Sequence, residues 1–354
     1  MATDMDNLNR FVAQKNLERL QHYDITLTDP ASDSNAIIGD KWKLAYSILK
    51  KWSDKNPDSI KKAIEAQVFG QKNPIDWNIA FLPFMESMAV YLRDYGKILA
   101  ACEKYAQCQD PEVDTTPEDL EDAISTYISA ADEINNVAKL WGMKFMQICD
   151  LPRQGFEEQP KWSGPYCGAF YTTEAQRSTP FIGLAFKGTS PFKLREILVD
   201  KNYQLVQGGL PTRSLGVIAK TLPRAEGTTI RAHVTGHSLG GSYSSMCYAQ
   251  LLIDASKFLP GFKMGDEYTF GAPRVWRIAN SDDIGVTIFN DKAPQDIASE
   301  INGLPPPGRK FTSWKEFKRD VIDAGPHLPN SYYKSMVEAI KTTAKKETTE
   351  GNGF

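Results

Sequence analysis

One hexapeptide, Gly236-His237-Ser238-Leu239-Gly240-Gly241, constrains the fold of this chain more than any other stretch. It follows IRAHVT (230–235), which reads as a strand, and leads into SYSSMCYAQLLIDASKFL (242–259), which has helical spacing. A chain that goes from strand to helix in so few residues must place the residue at the corner in a strained conformation. Glycines two positions before and two after Ser238 remove the Cβ atoms that would collide where the strand and helix cross. Gly241, Ser242, Ser244 and Ser245 continue the small surface, so the helix lies close to the sheet. The result is a nucleophile elbow, with the serine hydroxyl held above the end of a strand. The plain alternative is a glycine-rich turn or an anion site at a helix start. The strand and helix on either side favour the elbow.

A serine hydroxyl is a poor nucleophile near neutral pH, so a base must take its proton and a carboxylate must orient that base. The chain has 4 histidines, which keeps the search short. His22 falls in the helical first part, His233 lies within the strand, and His237 is next to the serine, where the turn aims it elsewhere. His327, in DVIDAGPHLPNSYYKSM, sits in a Gly/Pro loop ahead of a helix and is the candidate base. The candidate acid is Asp291, directly after the apolar run IGVTIF, because functional loops follow strand ends in such sheets. Asp296 is the alternative, whereas Asp282 and Asp283 precede the run and would stand at its wrong end.

Composition removes several other classes of function. There are 41 Lys+Arg against 44 Asp+Glu, a net charge of -3, so no excess of positive charge is available for a nucleic-acid partner. The start carries Asp4, Asp6 and Arg10 where a secretory signal needs a continuous apolar stretch, and no later run has membrane-spanning length. The expectation is a soluble, cytoplasmic chain without a transmembrane segment, or a secreted one if a signal peptide has been removed. Five cysteines at irregular spacing (Cys102, Cys108, Cys149, Cys167, Cys247) suggest neither a disulfide framework nor zinc ligation. No metal and no organic cofactor is expected.

Up to about residue 150 the pattern is helical, with apolar residues three and four apart in 40–52, 84–106 and 117–146. Asp40 and Thr116 stand where caps are expected, and Pro117 suits a first turn. The acidic residues of EDLEDAISTYISAADE fall on a solvated helix face rather than forming paired catalytic carboxylates. From about residue 165, short β-rich runs (GAFYTT, PFIGLAFKG, YQLVQ, IRAHVTG, EYTFG, IGVTIF) alternate with helical stretches, the mark of an α/β sheet. The Pro/Gly-rich loop 150–166 marks the boundary. The expected organisation is a helical N-terminal extension, 1–155, packed on a catalytic core, 156–354, with a central mixed and mostly parallel sheet.

Four segments together resemble a known family, the class 3 lipases of fungi and especially a basidiomycete-type branch. They are LAFKGTSP (184–191), VTGHSLGG (234–241), YTFGAPRVW (268–276) and NDKAP (290–294), followed by the stretch around His327. AIIGDKWKLAY and FLPFMESMAVYLRD are similar to the N-terminal part of the same branch, with less specific motifs. The resemblance implies an α/β-hydrolase fold in which Ser238 is the nucleophile, Asp291 the acid and His327 the base. It also implies that Thr189 and the backbone N–H of Leu239 form the oxyanion hole. Lys187 stands where many relatives carry arginine, and QDIASEING separates Pro294 from a Leu-Pro-Pro stretch that relatives join closely, which keeps Asp296 open.

The implied activity is hydrolysis of lipid-like or other hydrophobic esters through an acyl-enzyme, with a lipid–water interface as the setting. A feruloyl-type esterase or an acyltransferase on the same triad is the nearer alternative, and a catalytically silent lipase-like binding protein the more distant one. The segment 190–203 carries Phe192, Leu194, Ile197 and Leu198 on one face. It reads either as a lid that opens toward lipid or as a fixed helix packed on the core.

Overall fold

Strand pairing in the computed structural model, which describes residues 2–22, 35–70, 75–151, 166–188, 209–254, 261–270 and 333–342, organises everything else. Five strands lie side by side in chain order: β1 (Met143–Asp150), β2 (Tyr166–Thr172), β3 (Phe181–Lys187), β4 (Ile230–His237) and β5 (Phe262–Phe270). β1, β2 and β3 pair antiparallel, and β3, β4 and β5 pair parallel. Parallel neighbours need a crossover. The helix Gly209–Thr221 lies between β3 and β4 in the chain, and Leu239–Asp254 lies between β4 and β5. This mixed sheet with helices on both faces is an α/β-hydrolase architecture, as expected. The runs YQLVQ and IGVTIF lie outside the described residues.

The helices before the sheet are α1 (Ala2–His22), α2 (Asn35–Lys55), α3 (Pro57–Glu65), α4 (Trp77–Ala89), α5 (Tyr95–Gln109), α6 (Pro117–Ser129) and α7 (Asp132–Leu140); the two above follow as α8 and α9. Helix α6 starts as its sequence predicts, with Thr116 as cap and Pro117 in the first turn, and Asp119 completes a capping box with Thr116. Three expectations need correction. The helix expected over 117–146 breaks after Ser129 and again after Leu140, and its last residues open β1. Gly142, at φ 71°, makes that second break, a left-handed position where glycine bears no steric penalty. The helix expected over 84–106 is two helices separated by a 3-10 turn (Val90–Leu92), with Asp94 capping the second by accepting from Lys97 N at 3.1 Å. Asp40 lies inside α2, which begins five residues earlier, so it is not a cap.

Two apolar clusters hold these elements. The first packs Leu8 and Val12 of α1, Leu215 and Ile218 of α8, and Leu251 of α9 against Ile182, Leu184, Ala232 and Val234 of the sheet. The second joins α1, α5 and α6 through Leu17, Leu20, Ile98, Ala101, Ile124 and Tyr127. Helix α1 thus serves both. Between its two apolar faces the buried Asn16 accepts from Asp150 N at 3.1 Å and donates to the Ile148 carbonyl at 3.4 Å. β1 therefore joins the sheet from the N-terminal side of loop 150–166, and Met1–Val286 forms one compact unit. Thr287–Phe354 forms a second unit, helical over 333–342.

Candidate active site

The elbow has the strained geometry that its glycines predict. Ser238 sits at φ 56°, in the left-handed region that non-glycine residues seldom occupy, between the end of β4 and the start of α9 at Leu239. Its N–H donates to the Phe270 carbonyl at the end of β5 (2.8 Å), and its carbonyl accepts from Gly241 N (2.9 Å). The first bond fixes the turn from β5 and the second closes it from within. A Cβ on Gly236 would lie 2.2 Å from the Gly240 carbonyl oxygen, and one on Gly240 would lie 2.3 Å from the Phe186 carbonyl oxygen. The strand, the helix and the end of β3 therefore meet at backbone distance. Gly188, just past β3, closes on the same point: a Cβ there would lie 3.1 Å from Ser238 Cβ.

Side chains alternate along β4, and the two faces differ in kind. Ala232 and Val234 point into the apolar cluster under α1, α8 and α9. His233, Thr235 and His237, all buried, point the other way and each meets a group of α4 or the turn after it. His233 Nε2 and Glu86 Oε2 are 2.5 Å apart, Thr235 Oγ1 donates to the Pro83 carbonyl at 3.0 Å, and His237 Nδ1 and the Tyr91 hydroxyl are hydrogen-bonded at 3.0 Å. A Cβ on Gly183 would lie 2.5 Å from His233 Nε2, so the glycine of β3 makes the space for the first of these pairs. Among the described residues, Glu86 Oε1 and His233 Nδ1 find no further partner.

The polar face continues across β5. Asp266 accepts from Gly70 N (2.9 Å) and the Tyr268 hydroxyl (3.1 Å), yet its burial still holds its carboxyl above the ordinary carboxylate value. Burial, and then the Asp266 carboxylate, push Tyr268 far above the usual phenol range. On the other side of the site, the 3-10 turn is followed by Arg93, which is buried. It pairs with Asp150 of β1, donates from Nε to Gln147 Oε1 (3.2 Å), and faces the Tyr166 ring at 4.1 Å. Burial is the largest single influence and opposes the guanidinium charge there, but Asp150, Tyr127 and Tyr166 together outweigh it and the Arg93 pKa is raised. Lys187, also buried, donates to the Gly188 carbonyl (3.1 Å) and places its ammonium 5.7 Å from the centre of the Tyr91 ring and 5.6 Å from that of Tyr95.

Of the residues expected to act, Ser238 and Leu239 stand at the elbow, while Thr189, Asp291, Asp296, His327 and the segment 190–203 lie outside the described residues. His237 Nδ1 is hydrogen-bonded to the Tyr91 hydroxyl. Glu86 and Tyr91 were not foreseen. The stretch FMESMAVYLRD reads locally as an amphipathic helix, and the signal that was present was the polar side of β4 itself, His233, Thr235 and His237, which needs partners when buried. No group of three or more His, Cys, Asp or Glu side chains able to hold a metal occurs among the described residues, and all five cysteines are free. Cys149 and Cys167 are cross-strand partners in β1 and β2, and burial raises the Cys167 thiol well above its usual value.

A serine in a left-handed turn between a parallel strand and a helix, on a mixed sheet, defines an α/β-hydrolase fold with an elbow. Residues 212–288, which take in most of α8 and all of β4, the elbow, α9 and β5, match the family model for lipase (class 3). That match is to class 3 lipases as a whole and names no branch. No curated protein matches the chain. Among solved structures, the crystal structure of M37 lipase aligns with 49% of this chain at 14% identity and a TM-score of 0.21, and the alignment spans 58% of that lipase's length. No helix among the described residues is long and apolar enough to cross a membrane.

Proposed function

We propose that this protein is a carboxylic ester hydrolase, a lipase or esterase acting on hydrophobic esters through an acyl-enzyme. The observation that carries this reading is Ser238 at φ 56°, held between β4 and α9 by glycines that admit no side chain. The match of residues 212–288 to the class 3 lipase model supports it. In the first step Ser238 Oγ attacks the ester carbonyl as His327 takes its proton, with Asp291 orienting the imidazole. His327 then protonates the leaving alcohol. In the second step it activates water, which releases the acid and regenerates the serine.

Negative charge collects on the former carbonyl oxygen in both steps and calls for preorganised donors. The Leu239 N–H, at the start of α9, is one, and the helix dipole adds to it. Thr189 is the other. Its role is supported by the placement of Gly188, the residue before it, against Ser238. Loss of one such donor costs about 3 kcal/mol of barrier.

The test is turnover of a short p-nitrophenyl ester by the wild type and by Ser238→Ala, with a serine-directed phosphonate as a covalent probe. Ser238→Ala is expected to lose about a thousandfold or more of kcat, and the phosphonate to label Ser238 alone. Full activity in Ser238→Ala, or a label on another residue, overturns the reading. Profiling p-nitrophenyl esters of increasing length beside a triglyceride and a hydroxycinnamate ester then assigns the substrate. Preference for the hydroxycinnamate would replace lipase by feruloyl-type esterase and leave the triad in place.

A further inference from the structure

We infer that Tyr91 is a positioning residue for the oxyanion hole, holding the end of β3 in register with the elbow. This rests on the serine hydrolase reading above. An oxyanion hole built from two chain segments works only if both donors converge on one oxygen. Here one donor, the Leu239 N–H, rides on the elbow, and the other follows Gly188 at the end of β3. These two segments are separate in sequence, and the β3–β4 ladder pairs them directly only as far as Phe186 and Gly236, so Gly188 lies beyond its last pair. Past that pair, a side chain that touches both segments can hold their spacing.

Tyr91 is placed to do so. Its hydroxyl is bonded to His237 Nδ1, the residue just before the nucleophile, at 3.0 Å. The same hydroxyl lies 2.6 Å from where a Cβ on Gly188 would stand, so it packs directly on the Gly188 backbone beside Ser238. Its ring faces the buried ammonium of Lys187, the last residue of β3, whose Nζ in turn donates to the Gly188 carbonyl. One side chain thus touches both arms of the hole.

Tyr91 is itself anchored from both directions along the chain. Upstream, α4 is latched to β4 by Glu86 with His233 and by the Pro83 carbonyl with Thr235. Downstream, Arg93 is locked to Asp150 and Gln147 of β1. The 3-10 turn between these anchors leaves the ring little freedom. Displacements of 1 Å at a reacting centre cost up to about a hundredfold in rate, so a brace at this position has a large effect.

The experiment compares the full-length wild type with Tyr91→Phe, which keeps the ring and removes only the hydroxyl. Five quantities are measured: kcat and KM for a short p-nitrophenyl ester, the rate of phosphonate labelling at Ser238, affinity for an aryl boronic acid as a tetrahedral mimic, and the thermal midpoint. The expectation is a fall of about tenfold in kcat, with labelling rate and boronic acid affinity falling in parallel. KM changes by less than about twofold, and the midpoint moves only a few degrees. A merely structural role would move the midpoint without a parallel loss of boronic acid affinity, and that outcome overturns the inference. So does a Tyr91→Phe protein with wild-type kcat and labelling rate. If the wild type neither turns over esters nor labels at Ser238, the hydrolase reading falls and this inference with it, a result distinct from an active wild type beside an unaffected variant.

Discussion

The two faces of β4 are built on different principles. Ala232 and Val234 on one face belong to a cluster in which each residue needs only apolar neighbours of suitable size. Such packing contributes in proportion to area and tolerates exchange of one aliphatic residue for another. His233, Thr235 and His237 on the opposite face each need one particular partner, and each finds it on α4 or the turn behind it. Stabilisation from a buried hydrogen bond is modest, whereas leaving one unmade is costly. The apolar face therefore supplies stability, and the polar face determines which helix lies against the nucleophile strand and in what register.

That contrast can be broken from either side. The largest effect is expected from Leu251→Ala in α9, where a fully buried side chain leaves a cavity: about 3 kcal/mol of stability by urea unfolding. The folded fraction should turn over a p-nitrophenyl ester at the wild-type rate, and a specific loss of kcat there would show that the apolar face also tunes the site. Thr235→Val on the opposite face should cost less, about 1 kcal/mol, since it exchanges the hydroxyl that serves the Pro83 carbonyl for a methyl of similar size. It should nonetheless lower kcat, because α4 carries the chain to Tyr91. Equal activity in the two variants would erase the distinction.

The smallest expected effect concerns pH. Asp266 is held above the ordinary carboxylate value by burial, so the folded protein keeps its proton at pH values where the unfolded chain has released it. In that window the folded state binds more protons than the unfolded one, and stability falls as pH rises from the ordinary carboxylate value through the folded one. Asp266→Asn removes this decline. Urea midpoints of the two proteins should converge in acid, where Asp266 is protonated in both states, with the variant's curve flatter above it. A wild-type curve that rises through this window would contradict the direction of the shift.

Much of the core was legible in the sequence because its signals are local. The elbow declares itself through glycines two places either side of Ser238, and the start of α6 through Thr116 and Pro117. β3 and β4 fall within a residue or two of the runs that predict them. β1 was misread because seven of its eight residues are buried, which leaves no alternation to distinguish it from the apolar tail of a helix. Gly142 was the signal that would have separated the two. The pairs formed by Glu86 with His233 and by Tyr91 with His237 lie well over a hundred residues apart in the chain, and nothing local to either member names the other. Only the sheet brings them together.

Asn16 has a consequence for the outer edge of the described sheet. β1 is an outer strand of the described sheet, and outer strands offer unpaired peptide groups to any extended segment that approaches. The Asn16 carboxamide answers the Ile148 carbonyl and the Asp150 N–H as the peptide of a neighbouring strand would, and α1 lies over them. A chain trimmed past Asn16 would leave β1 open to strand addition, with the β1 of a second copy among the segments able to add. The first helix thus covers an edge as well as serving both apolar clusters, and a version shortened past Asn16 is expected to form sheet-mediated assemblies, detectable by size-exclusion chromatography.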